Sequence, residues 1–174
     1  MPGALATGQA GIYRVNTTGL DQRPYWELPA LTVREAMPGH HLQIALQQEV
    51  DIHPLRQFGA FFTAFVEGWG LYSESLGEEM GRLSHEMWRA CRLVVDTAIH
   101  AEGWSKQRAV DFMRANTALT DANIDAEVNG YMTRPGQALA YKIGQLKISE
   151  LRGRAGEALG EDFDLRAFHD AVLE

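Results

Sequence analysis

The stretch Arg34-Glu35-Ala36-Met37-Pro38-Gly39-His40-His41 gathers side chains of the kind that activate water at a metal. Zinc hydrolases of the HExxH type place two histidines one turn apart on a helix, with a glutamate beside the first. The histidines share one metal, and the glutamate takes a proton from the metal-bound water. Here the string after the first position reads E-x-x-P-G-H, two residues longer than that spacing. In an undistorted helix, positions 34 and 40 would lie about 120° apart around the axis and about 9 Å along it. Ligand bonds of about 2 Å could not join them. Pro38 changes this, because it has no N–H for the carbonyl of residue 34, and Gly39 tolerates unusual backbone angles. A break or bulge here would swing His40 toward the Glu35 side.

A second stretch, Glu67-Gly68-Trp69-Gly70-Leu71-Tyr72-Ser73-Glu74, places Glu67 and Glu74 seven residues apart, on nearly one helix face. A carboxylate from a following helix is the third ligand that a His/His/Glu zinc site requires. Glu67 lies in an apolar run with Phe65, Val66 and Trp69, where a carboxylate needs a partner. The glycines on either side of Trp69 suit close helix approach.

These motifs must be carried by helices. Residues 1–28, rich in Gly, Thr, Asn and Pro, read as an irregular lead-in without a core of its own. The domain proper is expected over 29–174. Residues 31–50 predict a long helix disturbed at Pro38-Gly39. A second helix is expected from Arg56 to Met80, with Phe58, Phe61, Phe62, Phe65, Trp69 and Tyr72 on one face. Ser84 is a candidate N-cap for a third helix through His100, Ser105 for a fourth, and Thr120 starts a fifth. Pro135-Gly136 separates that from a sixth over 137–159, and Asp164 can cap the last. No strand-like alternation and no internal repeat is present. The fold class is all-α, about seven helices.

Composition narrows the function classes. The 174 residues suffice for one domain with a real core. A net charge of −7 argues against a nucleic-acid or anionic-membrane surface. No apolar run approaches the roughly 18 residues of a membrane span. The opening residues show neither a basic n-region nor a long apolar h-region, so no signal peptide is read and a soluble chain is expected, its compartment open. Cys91 is the only cysteine, which excludes an internal disulfide and zinc-finger spacing.

EAMPGHHLQ, FVEGWGLYSE, RLVVDTAIH, PGQALAYKIG and FDLRAFHDAVL, in this order from Tyr13 onward, resemble the bacterial domain-of-unknown-function 885 family. The family is similar to zinc peptidases of the His/His/Glu class. The resemblance implies one lobe of a helical, zinc-peptidase-like cleft, the C-terminal part of a longer architecture. It implies Glu35 as general base, His40 and Glu67 as metal ligands, and Tyr141 or His100 as donors to a developing oxyanion. Two positions depart from the family pattern. Arg34 stands where members commonly have the first histidine, which removes a zinc ligand. Gly130 stands where they often have arginine before the tyrosine that is Tyr131 here, a position suited to anchoring substrate.

Two functions follow as expectations. One is a metal-dependent hydrolase fragment acting on peptide-like substrates, completed by a missing N-terminal lobe or by self-association. The other is a catalytically silent binding or structural module in which Arg34 supplies the metal's charge by pairing with Glu67 or Glu35. Asp96 and His100, four apart, are equally read as a local orienting bond. Tyr141 has a core spacing with Leu139 and Ile143. His41, His53, His85 and His169 are read as surface, packing or capping residues.

Overall fold

A computed structural model describes residues 3, 8–22, 25–59, 62–76 and 79–173. They form eight α-helices and no strand: α1 Glu27–Glu35, α2 His40–Glu49, α3 Thr63–Glu74, α4 Glu79–Glu102, α5 Lys106–Asn116, α6 Asp121–Thr133, α7 Gln137–Leu159 and α8 Leu165–Leu173. None of the described helices is long and apolar enough to cross a membrane. The described residues of the lead-in are irregular apart from a short 3-10 turn at Leu20–Gln22, until α1 begins at Glu27.

Residues 31–50 form two helices, separated by 36–39, where the Met37-Pro38 peptide is cis. Gly39 donates its N–H to the carbonyl of Val33 at 3.1 Å. A Cβ on Gly39 would lie 1.8 Å from the carbonyl oxygen of Arg34, so only glycine lets the chain turn this tightly. Trp69 of α3 donates its indole N–H to the carbonyl of Pro38 at 2.8 Å, tying the break to the second motif.

The expected second helix, Arg56 to Met80, is divided. A wide helical turn, Leu55–Gly59, precedes α3, which starts only at Thr63 and ends at Glu74. Phe61 lies outside the described residues, and Phe62 is exposed. At the C-terminus of α3, Ser75 and Leu76 donate their N–H groups three residues back, to Tyr72 and Ser73, and the Ser75 hydroxyl also bonds the Tyr72 carbonyl. These bonds satisfy the last carbonyls and close the helix. Ser84 is not an N-cap. It sits inside α4, where the helix-forming residues before it carry the helix back to Glu79.

Downstream, the expected boundaries are found. The side chains of Ser105 and Thr120 accept from the N–H groups of Arg108 and Asn123, and Asp164 accepts from Ala167 at 2.8 Å. Gly136 caps α7 with a φ of 80° and donates its N–H to both Asp96 carboxylate oxygens, at 3.0 and 3.2 Å.

One apolar core joins α4, α5, α6 and the start of α7 through Val95, Ala109, Met113, Ile124, Val128 and Ala138. Another gathers Trp69, Tyr72, Ile148 and Leu173. The most extensive helix contact is α3 on α7. There the backbones touch: a Cβ on Gly68 would come within 2.5 Å of Gly144 Cα, and one on Gly144 within 1.8 Å of the Ala64 carbonyl oxygen. This approach brings Glu67 and Tyr141 into one neighbourhood.

Candidate functional site

The end of α1, the start of α2, the middle of α3 and the first half of α7 converge. Arg34 is the hub. Its Nη2 donates to Glu67 Oε2 at 2.7 Å, its Nη1 lies 3.3 Å from Glu35 Oε1, and its Nε lies 3.5 Å from Glu74 Oε1. The helix break places His40 beside this group, with Nε2 3.6 Å from Glu67 Oε2. Gly70 makes room for the imidazole, since a Cβ there would sit 2.5 Å from the ring. The Tyr141 ring centroid lies 5.3 Å from the Arg34 guanidinium carbon.

Burial acts to raise the Glu67 carboxyl. His40, the Arg34 charge and the Tyr141 hydroxyl overcome it and hold the group down at about 2. At 3.6 Å the His40 contact is long for a hydrogen bond, so the 2.7 Å Arg34 pair is the stronger anchor. Burial also opposes the charge of Arg34, but Glu67, Glu74 and Glu35 together raise its pKa above the usual value. Arg34 is therefore a cation held by three carboxylates.

Behind it lies fully buried Glu74, facing Arg34 at 3.5 Å, Arg89 at 3.8 Å and His85 at 3.4 Å. Burial acts to raise the Glu74 carboxyl, and His85, Arg89 and Arg34 bring it below the ordinary range. His85 is thus buried against this network, a structural placement within the reading given it from the sequence. The sequence reading passed over Arg89 and Arg92. Their signal was present: His85, Arg89, Arg92 and Asp96 recur at four, three and four along α4, a polar stripe in which all four are buried.

In front of Arg34 opens a cavity of about 500 Å³. Glu35, Glu67, His40 and His41 supply polar lining, Leu31, Ile44 and Val66 apolar walls, and Ile12, Tyr13 and Arg14 of the lead-in the far side. Tyr13 is tied to Thr32 by a 3.2 Å hydroxyl contact, and Gly11 packs directly on the His41 ring.

Glu35, His40, Glu67 and Tyr141 are therefore brought together. His100 is engaged elsewhere, its Nε2 lying 2.9 Å from the Tyr131 carbonyl oxygen, where it ties α4 to α6. Asp96 does not orient it, being bonded to Gly136. Of the remaining histidines, exposed His53 accepts the Leu55 N–H, and His169 packs on Trp69 and meets the Tyr72 hydroxyl at 2.9 Å.

The residues present do not fit the zinc site that the resemblance implies. Among the described residues no three His, Cys, Asp or Glu side chains are grouped to hold a metal. His40 and Glu67 supply two donors. The third position carries a guanidinium, which has no lone pair and already holds the Glu67 oxygen.

Two of the solved structures to which the chain is similar are informative. One is a "putative lipoprotein" from Colwellia psychrerythraea, at 42% identity and a TM-score of 0.91 over 97% of this chain and 31% of that one. The other, of the same description and of unknown function, is from Shewanella oneidensis, at 26% identity and a TM-score of 0.76 over 86% of this chain and 29% of that one. This chain thus spans about a third of the length of either. None of the curated proteins matches. The family model for bacterial proteins of unknown function, DUF885, matches residues 1–174.

Proposed function

The chain belongs to the DUF885 family, and from that premise we propose that it is a metal-independent binding module whose pocket takes a peptide-like or amine-bearing ligand. The observation that carries this reading is the Arg34 guanidinium, 2.7 Å from Glu67 and 3.3 Å from Glu35. A tethered cation there does the electrostatic work of a metal ion, neutralising the carboxylates, without offering an open coordination position. Glu35 and Glu67 against the one guanidinium of Arg34 leave the floor negative, with Arg14 across the cavity on the far side. This favours a ligand with a cationic or donor end at the floor and an apolar body.

One observation favours the hydrolytic alternative: half-buried Glu35 lines the same cavity as His40 and Glu67, where it can take a proton from water. Zinc titration by calorimetry separates the two. The chain as it stands should bind zinc weakly or not at all, whereas Arg34→His should bind it orders of magnitude more tightly, because a lone-pair donor then replaces a charge that repels the ion. Equal affinity in both forms would place residue 34 outside the ligand set and overturn the binding-module reading. So would turnover of peptide substrates by the unmodified chain that is lost on Glu35→Gln.

A further inference from the structure

Behind the pocket, α4 carries two arginines that the proposed function does not use. Arg89 is 1% exposed and Arg92 6%. Both guanidiniums lie over the Trp88 ring, at 3.8 and 4.7 Å, and both flank Tyr141, at 5.5 and 4.2 Å. Arg92 is well held, its Nη2 donating to Glu127 at 2.6 Å and its Nε to the Tyr131 hydroxyl at 3.2 Å. Arg89 is not. Its one carboxylate neighbour among the described residues is Glu74, at 3.8 Å, beyond hydrogen-bond range. That contact uses Glu74 Oε1, the same oxygen that faces Arg34, while His85 faces the other.

Arg89 Nε, Arg89 Nη1 and Arg92 Nη1 are consequently buried donors with no hydrogen-bond partner among the described residues. Buried donors of this kind are normally satisfied, and a charged one left unbonded is the costliest case. We infer that Arg89 and Arg92 together form an interior site for one small monoanion, a halide or a formate-sized carboxylate, next to the Tyr141 ring.

Two considerations select this ligand. Neither arginine lines the cavity in front of Arg34 or the one beside Gln43 and Leu173, and both are almost wholly buried, so the occupant has only a few atoms. The field at Arg89 is positive, because the charges of Arg34 and Arg92 act on it against one carboxylate, Glu74. Burial first, then the charges of Arg34 and Arg92, press Arg89 down to about 9, with Glu74 only partly opposing them. Arg89 is still a cation at neutral pH. A water molecule could accept one of its hydrogen bonds but would leave that field in place, whereas an anion answers both needs.

The test uses the intact chain. Thermal unfolding is followed against sodium bromide and, separately, sodium formate, with ionic strength held constant by sulfate, which is too large for the site. Crystals are soaked in bromide and its anomalous signal located. The expected result is a saturating rise in Tm with either anion and a bromide peak in contact with Arg89 and Arg92. Arg89→Gln should shift the midpoint of that rise at least tenfold toward higher anion concentration. Should that variant fail to fold, the wild-type Tm series and the bromide map decide alone. A water at the site without bromide, a Tm that does not saturate, or bromide seen in the crystal without a solution response would each overturn the inference.

Discussion

Replacing Arg34 with methionine keeps most of the side-chain volume and removes only the charge. Glu67, 19% exposed at its side chain, and Glu74, at 0%, then lose the cation 2.7 and 3.5 Å away. Stranding one side of a buried ion pair typically destabilises by about 3–5 kcal/mol. The carboxyl itself gives a second estimate. Glu67 is held at about 2 against an ordinary 4.5. At about 1.36 kcal/mol per pKa unit, this depression is worth ~3 kcal/mol, shared among Arg34, His40 and Tyr141. Its folded pKa is depressed, so the stability it contributes is present above pH 4.5 and is lost as pH falls toward 2. In Arg34→Met, burial, the largest influence on both carboxyls, is left less opposed and their pKa values rise. The variant should be weaker than wild type by about 3–5 kcal/mol at pH 7. The gap should narrow at pH 5, where Glu67 and Glu74, no longer held down by the Arg34 charge, can protonate. Urea unfolding followed by circular dichroism at both pH values measures it. A deficit below about 1 kcal/mol at pH 7, the size of an exposed pair, would show that Arg34 is not the counter-charge. So would a deficit unchanged at pH 5.

Two glycine substitutions test the geometry that brings the site together. Gly70→Ala puts a methyl 2.5 Å from the His40 ring. It should leave the chain folded, lower stability by about 1–3 kcal/mol, the usual range for overpacking, and break the His40–Glu67 contact. An unchanged His40 imidazole signal in NMR would contradict this. Gly144→Ala places its Cβ 1.8 Å from the Ala64 carbonyl oxygen, against backbone that cannot rotate away. The α3–α7 contact must then open, with a drop in Tm of several degrees or more for a domain of this size. A Tm equal to wild type would mean that α3 and α7 are not as closely apposed as this.

How legible all this was in the sequence depended on the kind of constraint. Local chemistry could be read. Ser105, Thr120 and Asp164 cap helices because each short polar side chain bonds an N–H three residues on, a rule that needs no tertiary knowledge. Pro38-Gly39 could be read as a break because the missing donor and the crowding at Gly39 act within the chain. Ser84 failed for the complementary reason. Its intrinsic preference for a helix start was overruled by α4, whose packed face holds the helix through it. Arg34 stood out because the resemblance puts a histidine at its position, and its turn toward Glu67 and Glu35 follows from the pairing of opposite charges. Arg89 and Arg92 were hidden because a lone arginine in sequence gives no sign of burial. Their four-three spacing with His85 and Asp96 was visible, but such a stripe reads first as a solvated face. What reverses that reading is the partner helices. Glu74 comes from α3, Glu127 from α6 and Tyr141 from α7, so the residues that make the stripe an interior one lie 11 to 56 positions away from it and are united only by the packing of α4. The same packing links the two cation groups of the protein. Because Arg34 and Arg89 address one oxygen of Glu74, a change at residue 34 is felt at Arg89 without direct contact. Losing the Arg34 charge would free that oxygen for Arg89 and lower the field there, so Arg34→Met should weaken the small-anion response as well as the fold.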